Sequence, residues 1–199
     1  VIGIGIDYLL GCFLMEEKSA LADSLPTLWL VIPCYNEEDV LPITAPMFKE
    51  AVASLISDGL VAKGSRILFI NDGSSDKTWE IIQELAREPI FEGVSLSRNR
   101  GHQNALLAGL MECRSKCDIS VSIDCDGQDD ISKIHDMVLK FNDGFDVVYG
   151  VRSSRDTDTA FKRFTAEGFY KVLNLMGVEA VFNHADYRLM SARALDGLA

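Results

Sequence analysis

From Ile119 to Asp130 the chain reads ISVSIDCDGQDD. A short apolar-rich run ends in two carboxylates two positions apart, Asp124 and Asp126, followed by Gly127, Gln128 and two more acids. The run predicts a buried strand over Ile119 to Ile123. In extended chain, side chains at i and i+2 share a face, so two carboxylates at a strand's end can address one divalent ion, directly or through water. Oxygen ligands suit Mg²⁺ or Mn²⁺, which keep waters and bind substrate phosphates. Gln128 and Asp129 are near enough in sequence to supplement that shell. The competing reading is an acidic turn that caps a helix starting near Ile131, with Asp129 or Asp130 as the cap. A bare D-x-D arises often by chance, and the strand in front of it is what favours the metal.

Working outward, short apolar runs alternate with helical stretches. Strands are expected at Leu28 to Ile32 (stopped by Pro33), Arg66 to Ile70, Val94 to Leu96, Ile119 to Ile123 and Asp146 to Tyr149. Helices are expected from Glu37 to about Asp58, Asp76 to Arg87, Gln103 to Arg114, Ile131 to Phe141, and about Phe161 to Met176. Pro42 and Pro46 belong in or near the first turns of the first helix. Leu106, Leu107, Leu110 and Met111 are expected on one face of the third. This order predicts an α/β fold, a mostly parallel sheet with helices on both faces. Ligands of such sheets bind beyond the carboxyl ends of the strands. The polar residues gather there: PCYNEE from Pro33, NDGSSD from Asn71, SRNRGH from Ser97 and DCDGQDD from Asp124.

After the second strand, Asp72 can accept hydrogen bonds from the ring N–H of uracil or guanine, and Gly73 allows close approach or positive φ. A turn ending in a helix cap at Ser75 or Asp76 explains the same residues, and both readings can hold together. No G-x-x-x-x-G-K-[ST] and no G-x-G-x-x-G after a strand is present, so neither a P-loop nor a dinucleotide fingerprint is expected. Phosphates would need the metal and nearby cations. Candidates are Arg98, Arg100 and His102 after the third strand, Arg152, Arg155, Lys162 and Arg163 after the fifth, and Arg188. Near the end, Asp186 and Arg188 stand two apart. Extended, they share a face, either as site residues or as a surface ion pair on an edge strand.

The chain has 199 residues, 48% hydrophobic and 25% charged, which suits one domain with a full core. A net charge of -11 argues against a nucleic-acid partner but not against a small phosphorylated ligand. Five cysteines at irregular spacing suggest reduced thiols in the cytosol. Val1 to Met15 is apolar, too short for a membrane span, and without the basic start of a secretory signal. Residues 1–27 are left unassigned, and the chain is read as a fragment, soluble as it stands.

Together these pieces resemble family-2 glycosyltransferases of the GT-A fold, with its Rossmann-like sheet. The nearest branch acts on polyprenyl phosphates, such as bactoprenol glucosyltransferases and dolichol-phosphate mannosyltransferases. The motifs that carry the resemblance are IPCYNEE from Ile32, NDGSSDKT from Asn71, LSRNRGHQNA from Leu96, DCDGQD from Asp124, VYGVRSSR from Val148 and ADYRLM from Ala185. It covers roughly residues 28–199, the expected catalytic domain. The resemblance implies that Pro33, Tyr35, Glu37 and Asp72 hold the nucleoside. Asp124 and Asp126 would hold the metal and diphosphate, with Gln128 beside them. Arg152 and Arg155 would meet donor or acceptor phosphates. Asp186 and Arg188 would lie by the sugar and the acceptor phosphate, as the catalytic pair.

The sequence departs from common relatives at Asn71, Gly127 and Arg100, which bears on sugar and nucleotide choice. Relatives also continue into amphipathic segments and membrane helices, which would place the enzyme on the cytoplasmic face of a membrane. The implied reaction is inverting transfer from a UDP- or GDP-sugar to a polyprenyl phosphate. A family-2 enzyme with a hydroxyl acceptor is the alternative within the class, and a non-catalytic nucleotide-binding module the alternative outside it. The sequence leaves a monomer and a homo-oligomer equally open.

Overall fold

The computed structural model describes residues 25–151 and 184–198. Its strands are β1 (Leu28–Cys34), β2 (Arg66–Asn71), β3 (Phe91–Ser95), β4 (Ile119–Ser122), β5 (Val147–Val151) and β6 (His184–Ser191). Its helices are α1 (Leu41–Ser57), α2 (Thr78–Leu85), α3 (His102–Cys113), α4 (Lys133–Asn142) and α5 (Ala192–Leu198). The expected helix over 161–176 lies outside the described residues. The described strands form one sheet in the order β3-β2-β1-β4-β6-β5. Strands β1 to β4 pair in parallel, while β6 runs antiparallel to both β4 and β5. The mostly parallel α/β sheet is thus the one the alternating pattern predicts.

The seven residues of β1 are all buried, which explains their continuous apolar character. Even-numbered Leu28, Leu30 and Ile32 face one core with Phe48 and Val52 of α1, Ile82 of α2 and Met137 and Val138 of α4. Odd-numbered Trp29 and Val31 face the other core with Leu106 and Leu110 of α3 and Leu195 of α5. Helices therefore cover both faces. Fully burying such side chains contributes about 1.5–3 kcal/mol each.

Four local expectations are corrected. Pro33 does not stop β1, since it pairs with Ile70 and the strand runs on to Cys34. Val31 accepts from the Ile123 amide on the β4 side. Pro33 faces that same side two residues on, beyond the end of β4, where its missing N–H interrupts no regular ladder. Helix α1 begins at Leu41 rather than Glu37, with Pro42 in its first turn, where the missing N–H leaves the Glu38 carbonyl without an i+4 donor; the Glu37 and Glu38 amides go instead to Thr78 Oγ1 and Asp76 Oδ2. In α3, Leu107 is exposed and Met111 only partly buried, whereas Ala105, Leu106, Gly109, Leu110 and Cys113 are buried. The stripe centres on Gly109, which lies so close to the sheet that a Cβ there would stand 2.4 Å from Val31 Cγ1. Strand β6 is interior to the sheet, so Asp186 and Arg188 are not on an edge.

Candidate active site

The order of the sheet reverses beside β1: β2 and β3 lie on one side, β4 on the other. A crevice opens at such a switch point because the loops leaving the two strands turn apart. Here it is a cavity of about 270 Å³, lined by Pro33, Cys34, Tyr35, Glu37, Asp72, Asn99, Gly101, His102, Ala105, Asp124, Cys125 and Asp126. The four residues expected at the nucleoside, Pro33, Tyr35, Glu37 and Asp72, line it, as do Asp124 and Asp126, expected at the metal and diphosphate.

On the β1–β2 side the loops are stitched together. Asn36 adopts φ 56° and its Oδ1 accepts from the Ser75 amide at 2.9 Å, while its own amide donates to Ser74 Oγ at 3.0 Å. The Lys77 amide donates to Glu38 Oε2 at 3.0 Å. Asp72 is buried, and its two oxygens accept from the amides of Arg100 at 2.7 Å and Gly101 at 2.9 Å. It thereby fastens the β3–α3 loop to the end of β2. Gly73 supplies both properties expected of it. Its φ is +65°, and a Cβ would stand 2.4 Å from the Arg98 carbonyl carbon.

The β4 side differs. Asp124 follows β4 and Asp126 sits in the next turn, where Asp126 Oδ1 accepts from the Gln128 amide at 2.9 Å. Gln128 is exposed and absent from the cavity lining, meeting Asp126 through its backbone. Asp130 Oδ1 accepts from the Ser132 amide at 3.1 Å, forming the turn that leads into α4. Asp124 Oδ1 is buried and has no hydrogen-bond partner among the described residues. Burial pushes the Asp124 carboxyl up, His102 opposes this, and the charges of Asp129, Asp126 and Asp186 add to the rise. Glu37 is raised by burial and then by Asp126, Asp76 and Asp124. On the cavity floor the Cys34 thiol is pushed up by a hydrogen bond with the Cys125 thiol and by burial.

These residues fit a divalent ion. Asp124 and Asp126 offer hard oxygen donors, one of them buried and unbonded, among acids that repel one another. Among the described residues no three His, Cys, Asp or Glu side chains form a ready metal shell. Two carboxylates suit an ion that completes its shell with water and substrate phosphate, rather than a closed structural site.

Asp186 is placed by β6 and lies just behind the lining. Its Oδ2 accepts from Gln103 Nε2 at 2.8 Å. His102, which does line the cavity, sets its Nε2 3.1 Å from Asp186 Oδ2 and 3.5 Å from Asp124 Oδ1. The Arg188 Nε is buried without a hydrogen-bond partner among the described residues. Arg98 and Arg100 are exposed on the β3–α3 loop. Arg152, Arg155, Lys162 and Arg163 lie outside the described residues. Reasoning from sequence named His102 only as an anion candidate and missed Gln103. The contact between Gln103 and Asp186 spans 83 residues, and the only local signal is the polar GHQN run opening a helix after a strand end.

Comparison with known proteins agrees with this architecture. The profile described as Glycosyl transferase family 2 matches residues 29–198. The uncharacterized glycosyltransferase YkoT of Bacillus subtilis (strain 168) is 49% identical over 179 residues, covering 89% of this chain and 53% of that protein. The bactoprenol glucosyl transferase of Shigella phage SfX is 38% identical over 171 residues, covering 85% of this chain and 53% of that protein. The chain thus spans about half the length of these relatives. The mannosyltransferase PcManGT from Pyrobaculum calidifontis, solved with GDP-Man and Mn²⁺, superposes with a TM-score of 0.53 at 17% identity, covering 96% of this chain and 55% of that one. S. aureus TarS 1-349 gives 0.52 at 16% identity, covering 86% and 49%. At these identities the structures speak for the fold alone, which is GT-A. With the profile matched from β1 to the end of α5, the chain belongs to glycosyl transferase family 2.

Proposed function

We propose that the protein is an inverting glycosyltransferase that moves a sugar from a UDP- or GDP-sugar to a polyprenyl phosphate, using Mg²⁺ or Mn²⁺. The observation that carries this reading is the buried, unbonded Oδ1 of Asp124, in a cavity that also holds Asp126 and Asp72. The 38% identity to a bactoprenol glucosyl transferase supports a lipid-phosphate acceptor, and with it work at a membrane face.

In this reading Pro33, Tyr35, Glu37 and Asp72 hold the nucleoside. Asp72 already accepts two amides, and each carboxylate oxygen keeps a lone pair for a ring N–H. Asp124 and Asp126 hold the metal and diphosphate. A divalent ion bound there neutralises charge developing on the leaving diphosphate. Arg152, Arg155 and Lys162 meet the phosphates. The acceptor phosphate oxygen attacks the anomeric carbon opposite the leaving group, the sugar–phosphate bond breaks, and the configuration inverts. A phosphate is ionised at neutral pH, so Asp186 orients the reactants or stabilises positive charge on the sugar instead of removing a proton. Arg188, two residues along the same strand, is the cation for the acceptor phosphate in this reading.

Calorimetric titration with UDP and GDP, with Mn²⁺ and with chelator, tests the donor half. One nucleotide should bind only with metal, and Asp126→Asn should abolish that binding. Binding indifferent to chelator would remove the metal from the proposal. Transfer from the matching nucleotide sugar to undecaprenyl phosphate in detergent tests the acceptor half.

A further inference from the structure

We propose that His102 and Gln103 are positioning residues for the transfer: Gln103 anchors the Asp186 carboxylate, and His102 links that carboxylate to Asp124 across the cavity wall. This rests on the reading of Asp186 as a residue that acts on the reacting sugar.

Asp186 comes from β6 and the pair from the first two positions of α3, elements brought together only by the fold. Gln103 Nε2 donates to Asp186 Oδ2 at 2.8 Å, and His102 Nε2 stands 3.1 Å from the same oxygen. The main chain of Asp186 is held as well, because Ser122 Oγ donates to its carbonyl. An aspartate has two side-chain torsions, so fixing its carbonyl and one carboxylate oxygen leaves its carboxylate little freedom to move. His102 joins the two acidic groups, with Nε2 3.1 Å from Asp186 Oδ2 and 3.5 Å from Asp124 Oδ1. Asp124 and Asp186 thus approach the same imidazole nitrogen from two different strand ends. Removing the imidazole would leave the two carboxylates facing each other. The fold begins α3 with these residues because Asp72 fastens the Arg100 and Gly101 amides immediately before them. The end of β2 thereby sets the position of Asp186's partners. Misplacing a reacting group by about 1 Å costs on the order of 10²-fold in rate, so such an anchor acts on turnover more than on donor affinity.

The test uses the full-length protein, with UDP-glucose or GDP-mannose as donor and undecaprenyl phosphate in detergent as acceptor. Gln103→Leu should lower kcat roughly 10- to 100-fold. The donor KM and the Mn²⁺-dependent Kd for the nucleotide should stay within about twofold, since Gln103 does not line the cavity. His102→Leu should change both kcat and that Kd, and His102→Gln, which restores an N–H donor, should recover part of each. In a double-mutant cycle, Gln103→Leu should cost little more once Asp186 is Asn. Thermal melts of each variant separate misfolding from loss of positioning. If Asp186→Asn abolishes turnover while Gln103→Leu keeps the wild-type kcat, or if the two losses simply add, the pairing is wrong. If Asp186→Asn itself turns over normally, the role given to Asp186 under the proposed function falls first.

Discussion

The two sides of the cavity are built differently. On the β1–β2 side, Asn36, Glu37, Glu38, Asp72 and Asp76 are joined across three loops by backbone-to-side-chain hydrogen bonds. On the β4–β6 side, Asp124 Oδ1 and Arg188 Nε are buried with no hydrogen-bond partner among the described residues, His102 stands 3.5 Å from Asp124 Oδ1, and Asp124 is crowded by like charges. A buried polar group without a partner costs about 1–3 kcal/mol. The first side is therefore complete without ligand, while the second is tense until a ligand satisfies it. A rigid floor beside a strained rim is what a site needs if it is to hold a substrate in one pose and concentrate its binding energy on charge that appears during reaction.

The largest effect should come from the tense side. Asp124→Asn and Asp126→Asn should each lower sugar transfer by roughly 10²–10³-fold, read from steady-state rates with the metal saturating in the wild type. Neither should lower the melting temperature: burial opposes the charge removed from Asp124, and Asn at 126 keeps an Oδ1 for the Gln128 amide. A loss of rate matched by a loss of stability would erase the distinction between the two sides.

Substitutions on the complete side should act the other way, on the fold first. Asp72→Ala leaves the Arg100 amide without its acceptor and the Gly101 amide with Asn99 Oδ1 alone, at a cost of about 1–3 kcal/mol. For a domain of this size that lowers the melting temperature by about 2–4 °C per kcal/mol. Gly73→Ala should cost a similar amount, about 1–3 kcal/mol, because its φ is +65° and the new Cβ would meet the Arg98 and Asn99 backbone at 2.4–2.5 Å. Chemical denaturation of both variants measures this directly. An unchanged midpoint for Asp72→Ala would mean that the loops are held by something other than the carboxylate.

The contrast also explains what the sequence could convey. The parallel strands were readable because two-sided burial makes them continuous apolar runs, as in Leu28–Cys34. The strand-end clusters were readable because polar residues after such runs can go nowhere else. Packing depth was not readable. The stripe of α3 was placed over Leu106, Leu107, Leu110 and Met111, of which Leu107 is exposed, because a glycine carries no hydrophobic signal although Gly109 lies close against the sheet. The early start given to the first helix had the same origin. Nothing local announces that the amides of Glu37 and Glu38 are claimed by Thr78 and Asp76 some 40 residues away. Those long-range bonds, and the one from Gln103 to Asp186, belong to the fold rather than to any window of sequence.

Acid should separate the two sides most gently and with opposite sign. At Asp76 burial works upward, but the hydroxyl and amide of Thr78 and the amide of Glu38 outweigh it and hold the carboxyl below its ordinary range. A carboxyl held down by folding contributes stability that is present above its unfolded pKa, about 3.9, and is lost as pH falls through the lower folded value. Asp76→Asn should therefore melt below the wild type at neutral pH, and the gap should close only below about pH 4. Asp124 is held up, so its ionised form opposes folding, and that cost fades as pH falls through the raised value toward the unfolded one. Without metal, Asp124→Asn should melt above the wild type at neutral pH, with the gap shrinking as the solution is acidified and closing near pH 4. Melts of the three proteins across pH 3–8 with chelator present read both gaps at once. Two gaps of the same sign would show that Asp124 is held by partners of its own, and the two sides of the cavity would then be alike.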